Sequence, residues 1–407
     1  MSARLRQCAI LVGGLGTRLG ALTAATPKPI LPVGGRPFLA WLIRELSRYG
    51  FEEVVLLTGH LSDTLRQSVT DMAALLPRKL SIVFSEEPVR AGTGGALFHA
   101  RHLLDERFLL CNGDSLFDAN LAPLLAASAK DGPDVIGRFL LRHLPDVSRY
   151  GVVTTEGDRV TGFHERPPEG GPPAPGDINA GLYVFRREIC DQVQEICSLE
   201  RDVMPGLATR GMLRAQRGQG YFIDIGVPDD FARAQHELPA HLRRPALFLD
   251  RDGVINIDHG YVGSIDRFEF TATARAAVAH ATAKGWHVFI VTNQSGIARG
   301  FYDEAALHSL QAWLHGEILA AGGTIDDWRY CPDHPDATIE RYRRINDWRK
   351  PGPGMLRDLI SAWQLDPARC VLIGDQPTDI QAAEACQVRA ILFDGGDLLA
   401  TVQQALT

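Results

Sequence analysis

The chain has 407 residues, 45% of them hydrophobic and 22% charged, with a formal charge of −7. Domains usually run ~100–200 residues, so this length predicts two of them, and the acidic balance argues against nucleic acid or an anionic membrane surface as main partner. Seven cysteines without regular spacing predict reduced thiols and not a disulfide framework, and no apolar run reaches the ~20 residues that span a bilayer.

The start MSARLRQCAILVGG sets basic residues ahead of a short apolar stretch that breaks into glycines. It reads as a first buried strand and not a secretory leader, and a cytoplasmic location is expected. CAILVGG is strand-like, and PFLAWLIRELSRYG is helical until Gly50 stops it. Then come the strand EVVLLTG, a helix from Ser62, the strand LSIVFSEE, a helix from Gly95 and the strand RFLLCNGD. RPPEGGPPAPGD (Arg166–Asp177) reads as a loop, because proline and glycine dominate it. Around AQHELPAHLRRPALF the pattern loosens, which places a linker at residues 237–244 between domains at 1–236 and 245–407. Beyond it ALFLD, WHVFIVTN, DDWRYCPD, CVLIGD and RAILFD read as strands separated by helices. Strands alternating with helices in this way predict βαβ units. The expected fold class is α/β, with two doubly wound, mainly parallel-sheet domains.

GGLGTRLGALTAATPKPILPV follows directly on the first strand. Gly13, Gly14 and Gly16 let backbone N–H groups approach an anion closely. Arg18 can add a forked contact to phosphate oxygens, and Lys28, stiffened between Pro27 and Pro29, a second cation. GGLGTRL with TPKPILPVGGRPFL closely resembles the signature of the sugar-phosphate nucleotidylyltransferases. The resemblance continues through EEPVRAGTGGAL, CNGD, RYGVV, FHERP, INAGLYVF and FIDIGVPDDFARA. It implies a Rossmann-like domain in which Gly13, Gly14, Gly16, Thr17, Arg18 and Lys28 steady a nucleoside triphosphate, with Arg18 and Lys28 catalytic. Gly92, Thr93 and Gly94 would contact the base, and Gly151, Glu165, Arg166 and Asn179 the sugar. Asp114 and Asp224 would hold Mg²⁺. Arg166 stands where the family more often has lysine, and a guanidinium fork is not equivalent to an ammonium group. Attacker, target and leaving group are all anionic in nucleotidyl transfer, so positioning and neutralisation do most of the catalysis. The wording is nearest to enzymes that activate D-glycero-α-D-manno-heptose 1-phosphate with GTP.

In FLDRDGVIN a strand ends at Asp250, and Asp252 follows two residues on. Further strands end at Thr292 and Asn293 and at Asp375, while Lys350 lies in WRKPGPGM. All these segments fall at the carboxyl side of predicted parallel strands, where open α/β sheets bind ligands. The ordered set resembles the haloacid-dehalogenase-type phosphatases, and within them the heptose bisphosphate and histidinol phosphate phosphatases. The resemblance implies that Asp250 is the nucleophile and that Asp252 is general acid and then base, with a pKa raised by its surroundings. Thr292 and Lys350 would bind the transferring phosphoryl group, and Asn293, Arg299 and Arg349 the rest of the substrate. Mg²⁺ would sit on Asp250, the main-chain carbonyl of Asp252, and Asp375. Asp252 and Thr292 lie too close in sequence for a large cap domain.

Relatives of that group carry a structural zinc loop. Here CPDHP places Asp333 where a histidine ligand is expected, and INDWRKP places Asn346 and Trp348 where a cysteine pair is expected. One thiolate with a histidine and an aspartate is a poor tetrahedral set, so no zinc is expected; burial of Trp348 could pin the loop instead. The two halves together predict a bifunctional enzyme acting on heptose phosphates and GTP or another nucleoside triphosphate, with no nucleic-acid or membrane partner, and they are compatible with a homo-oligomer. The alternatives are a hexose 1-phosphate transferase fused to a phosphatase for another metabolite such as histidinol phosphate, and a chain with one inactive, regulatory half.

Overall fold

The structure is a computed structural model that describes residues 5–14, 16–59, 62–147, 151–164 and 174–407. The chain divides into two compact units, Met1–His241 and Leu242–Thr407.

The first unit is built on a nine-stranded sheet. From edge to edge the strands are Ser81–Glu86, Glu53–Thr58, Gln7–Leu11, Arg107–Asn112, Gly176–Arg186, Gly137–Leu144, Leu213–Gly218, Arg159–His164 and Val152–Glu156. Its first four strands are mutually parallel. Their apolar runs show no alternation because helices cover both faces. From Gly176–Arg186 onward the pairing is mostly antiparallel. The helix Phe38–Ser47 is buried on every side, and its Glu45 is paired at 3.0 Å with Arg48. A separate antiparallel ribbon joins Ser115–Ala119 to Gly220–Asp224, with Asp224 opposite Ser115. It returns the chain from far along the sequence to the end of the Arg107–Asn112 strand. The unit closes with the helix Pro228–His241. Residues 237–241, which composition assigns to the linker, are therefore the last turns of a helix. Pro239 is accommodated inside it, and a Cβ on Gly34 would overlap that proline ring.

The second unit is a five-stranded sheet, parallel throughout, in the order Asp327–Cys331, His287–Asn293, Ala246–Leu249, Cys370–Gly374, Arg389–Leu392. The central strand alternates strictly. Leu247 and Leu249 enter one core cluster, while Ala246 and Phe248 enter the cluster on the opposite face. The chain leaves this strand to build the sheet in both directions, which makes its carboxyl end the topological switch point. Between Asp252 and the strand His287–Asn293 its helical elements are a short 3-10 turn, Ile265–Arg267, and one helix, Ala274–Ala283.

Candidate active sites

In the first unit a cavity of about 300 Å³ opens at the carboxyl ends of the parallel strands. Gly13, Gly14, Lys28, Gly92, Thr93 and Asp114 line it, as do Glu87, Arg90, Asn112 and Glu200, to which sequence reading assigns no role. Lys28 is 7% exposed, and its ammonium lies 2.7 Å from Asp114 Oδ2. Ile225 N donates to Asp114 O at 3.0 Å, so the ribbon brings Asp224 beside Asp114. Burial, and then the charge of Asp114, push the Asp224 carboxyl above its usual range, against the pull of Gly226 N–H, Lys28 and Arg18. A Cβ on Gly226 would lie 2.7 Å from Asp224 Oδ1, 3.4 Å from Lys28 Nζ and 3.5 Å from Arg18. Three of the predicted residues, Arg18, Lys28 and Asp224, therefore meet around one glycine, and Asp114 joins them through Lys28. Two crowded carboxylates offering hard oxygens suit a divalent cation such as Mg²⁺.

Glycine is required around this cavity by close approach. A Cβ on Gly13 or Gly59 would come within 2.8 or 2.5 Å of Glu87 Oε1. Glu87 in turn accepts from Ala91 N at 3.0 Å, and burial raises its pKa. The helix Gly92–Ala100 starts three residues earlier than composition suggests. It opens on Gly92 at φ 78°, and Gly94 N and Gly95 N donate to Cys197 O at 3.0 and 3.2 Å. Thr93 Oγ1 donates to Glu200 Oε2 at 2.6 Å. Glu200 sits in a π-helical turn, Leu199–Val203, a geometry that often marks functional positions.

Asn179 does not line the cavity. It flanks a bulge in the strand Gly176–Arg186 and donates to the Tyr183 hydroxyl at 2.7 Å; the charge of Glu200 reaches that hydroxyl. Thr17 and Gly16 lie in or at the 3-10 turn Thr17–Thr23, outside the cavity lining, and Gly151 abuts His164 O. Glu165 and Arg166 lie outside the described residues.

In the second unit the carboxyl end of the central strand sets Asp250 over Lys350. Asp250 Oδ1 accepts from Arg251 N at 2.7 Å and lies 2.9 Å from Lys350 Nζ. Lys350, 3% exposed, also reaches Asp379 Oδ1 at 2.5 Å and donates to Val291 O at 2.9 Å. Asn293 docks the Lys350 segment by a reciprocal pair, Nδ2 to Lys350 O and Lys350 N to Oδ1, both 3.1 Å. Burial raises Asp250 to about 7, with Lys350 opposing and Asp379 and Asp252 adding to the rise. For Lys350, burial acts to lower the pKa, but the two carboxylates outweigh it, so it stays charged.

Among the described residues, one group of at least three carboxylate, histidine or cysteine side chains could hold a metal: Asp250, Asp375 and Asp379, with ligand atoms within 4.8 Å of one another. Asp375 Oδ1 is buried with no hydrogen-bond partner, which is what a ligand awaiting a hard cation should show. Gly253, at φ 83°, makes room, since a Cβ there would overlap the Asp375 carboxylate. Asp379 was not among the expected metal residues; it caps the following helix through Gln376 N at 3.0 Å. Asp252 has its side chain outside the group, so only its main-chain carbonyl, as the resemblance implies, is left for a cation. Its carboxylate is held by Arg251, by Asn256 at 3.0 Å and by Gln294 at 2.9 Å.

Thr292, 1% exposed, accepts from Gln294 at 2.8 Å. Arg299 lies 5.9 Å from the Tyr261 ring, and Tyr261 meets Phe301 at 4.7 Å. Burial and the nearby Arg299 lower the pKa of Arg349, so two guanidiniums face the same region. In the loop between Cys331 and Lys350, Asp333 is fully buried and accepts from Asn346 Nδ2 at 2.5 Å and Arg344 Nε at 2.8 Å. A hydrogen-bonded aspartate–asparagine pair thus joins the two arms of the loop, and Trp348 packs only partly buried against the core.

Residues 8–241 match the nucleotidyl transferase family and residues 347–404 a HAD-hydrolase-like family. Over 164 residues the chain is 44% identical to a D-glycero-beta-D-manno-heptose-1,7-bisphosphate 7-phosphatase of Rhodopseudomonas palustris, which spans 40% of this chain and 91% of that protein. Over 236 residues it is 32% identical to a D-glycero-alpha-D-manno-heptose 1-phosphate guanylyltransferase of Aneurinibacillus thermoaerophilus, covering 57% of this chain and 98% of that protein. Among solved structures, HddC from Yersinia pseudotuberculosis complexed with GMP-PN aligns with TM-score 0.50 and 29% identity, over 57% of this chain and all of that one.

Proposed function

The chain belongs to the nucleotidyl transferase family and continues into a phosphatase unit of the HAD type, and from that premise we propose that it carries out two consecutive steps of nucleotide-activated heptose synthesis. The second unit removes the 7-phosphate of D-glycero-D-manno-heptose 1,7-bisphosphate. The first joins the resulting 1-phosphate to GMP from GTP and releases pyrophosphate. The observation that carries this reading is a buried lysine paired to a carboxylate in each of two separate clefts, at 2.7 and 2.9 Å, with further carboxylates beside it.

In the phosphatase step an Asp250 oxygen attacks phosphorus, and Asp252 gives its proton to the departing O7 alkoxide. Asp252 then takes a proton from the water that hydrolyses the aspartyl-phosphate. Lys350 keeps Asp250 oriented and offsets charge on the phosphoryl group, and Thr292 donates to one of its oxygens. Asp250, Asp375 and Asp379 would hold Mg²⁺, which when bound screens the approaching anions from one another. In the transferase step a 1-phosphate oxygen attacks the α-phosphorus of GTP while Lys28 and Arg18 steady the triphosphate. Asp114 and Asp224 are the residues that would hold Mg²⁺ there. A cytoplasmic location fits these substrates, and no described helix is long and apolar enough to cross a membrane.

Cleavage at O7 leaves the configuration at C1 untouched, so both units must accept one anomer. The two relatives carry opposite anomers in their names. We take the α series, the anomer that the name of the guanylyltransferase relative of the first unit carries. The test supplies each anomer of the bisphosphate with Mg²⁺ and each of GTP, ATP, CTP, UTP and dTTP, and identifies products by mass. The expected result is one phosphate and one pyrophosphate released per GDP-heptose formed, from the α anomer. Phosphate release from histidinol phosphate but not from the heptose bisphosphate would overturn the reading.

A further inference from the structure

Gln294 lies two residues after Thr292 in the TNQSGIARG segment, is 1% exposed, and is assigned no part in the chemistry above. Its amide nitrogen donates to Asp252 Oδ2 at 2.9 Å and to Thr292 Oγ1 at 2.8 Å. Its carbonyl oxygen accepts from the Tyr302 hydroxyl at 2.6 Å. The directions follow from chemistry. Oδ2 of Asp252 accepts from Arg251 as well, and a carboxyl oxygen keeps an accepting lone pair whether the group is ionised or carries the proton it later gives up, so the nitrogen faces Asp252, the oxygen faces Tyr302, and Tyr302 donates. Because Thr292 accepts from Gln294, its own proton is free to point elsewhere, toward an incoming phosphoryl oxygen.

Tyr302 is fixed as firmly as the amide. A Cβ on Gly263 or on Gly296 would overlap its ring, so two glycines form the seat in which it lies. Its hydroxyl also lies beside Arg251, the other main donor to Asp252. One phenol therefore braces two of the three groups that hold the Asp252 carboxylate.

We propose that Tyr302 and Gln294 are positioning residues of the phosphatase unit, a directional relay that sets the aim of Asp252 toward the leaving oxygen and of the Thr292 hydroxyl toward the phosphoryl group. The proposal rests on the phosphatase reading of this unit. It requires that the relay matter most when the leaving group needs a proton. An alkoxide does, and p-nitrophenolate does not.

The test compares kcat/KM of the full chain and its Tyr302→Phe variant on the heptose bisphosphate, phenyl phosphate and p-nitrophenyl phosphate. This parameter ends at leaving-group departure, so the later hydrolysis of phosphorylated Asp250 does not enter it. General acids contribute roughly 10²–10⁴-fold; loosening one should cost about tenfold on the bisphosphate, less on phenyl phosphate and under about twofold on p-nitrophenyl phosphate. Gln294→Leu should show the same ordering. The double variant should lose no more than the worse single one, because the two act in series. Equal losses on all three substrates, no loss on any, or additive losses in the double variant would overturn the relay. If the unmodified chain ignores the bisphosphate but cleaves both aryl phosphates, the substrate reading fails while the aryl pair still tests the relay.

Discussion

Lys28 and Lys350 meet the same physical problem in different surroundings. Each is a buried ammonium that survives only because carboxylates face it, Asp114 for the first and Asp250 with Asp379 for the second. Asp250→Asn keeps the shape and removes the nucleophile, so phosphate release should fall below detection while nucleotidyl transfer from a supplied 1-phosphate persists. Asp114→Asn should do the reverse, costing on the order of 10²-fold or more in transfer. Gly253→Ala should abolish phosphate release without touching transfer, since the added methyl would overlap Asp375 and the φ of 83° is unfavourable to alanine. Asp250 and Asp375 were legible in the sequence because each closes an ordered motif at a strand end, and Lys350 because it stands in the WRKPGPGM segment that accompanies them. Glu200, Gln294 and Tyr302 were not, because their roles depend on contacts between segments whose spacing carries no period. Asp379, four residues after Asp375, was given no role by the sequence, because an acidic residue in the first turn of a helix is ordinary, and it also accepts from Gln376 N there.

The short ribbon of Ser115–Ala119 and Gly220–Asp224 is what makes the transferase cleft a single site, and nothing in either strand's composition announces its partner. The same limit applies to the antiparallel strands of the first unit. Apolar runs disclosed the parallel strands, whereas pairing direction is decided by tertiary packing. At the end of the helix Pro228–His241, a proline that reads as a breaker is held by packing on Gly34. The loop from Cys331 to Lys350 makes a checkable claim about stability. Asn346→Ala leaves the buried Asp333 carboxylate with fewer donors, which should cost about 2 kcal/mol and lower the Tm of this unit by about 4–8 °C. Cys331 stands beside Asp333, but arginine and asparagine occupy the opposite arm of the loop where a cysteine pair would complete a zinc set, so elemental analysis of chelator-free protein should find well under one zinc per chain.

Taken as a whole, the chain carries an excess of acid and must handle anions at both clefts, with a net charge of −7. Removing divalent ions with EDTA should therefore stop both phosphate release and nucleotidyl transfer, and added Mg²⁺ should restore them in the same preparation. Loss of only one activity would mean that the other cleft manages its charge with lysine and arginine alone.

Asp250, Asp375 and Asp379 share one pocket floor with a single ammonium, while Asp252 is matched by Arg251. With every group ionised, that floor holds two more negative than positive charges and repels a dianionic monoester by itself. Guest and counter-ion must then enter as thermodynamic allies. By reciprocity, a phosphate mimic should tighten Mg²⁺ binding by the same factor by which Mg²⁺ tightens the mimic. Titration calorimetry run in both orders would return one coupling constant, and Asp375→Asn, which removes one of the surplus charges, should shrink it.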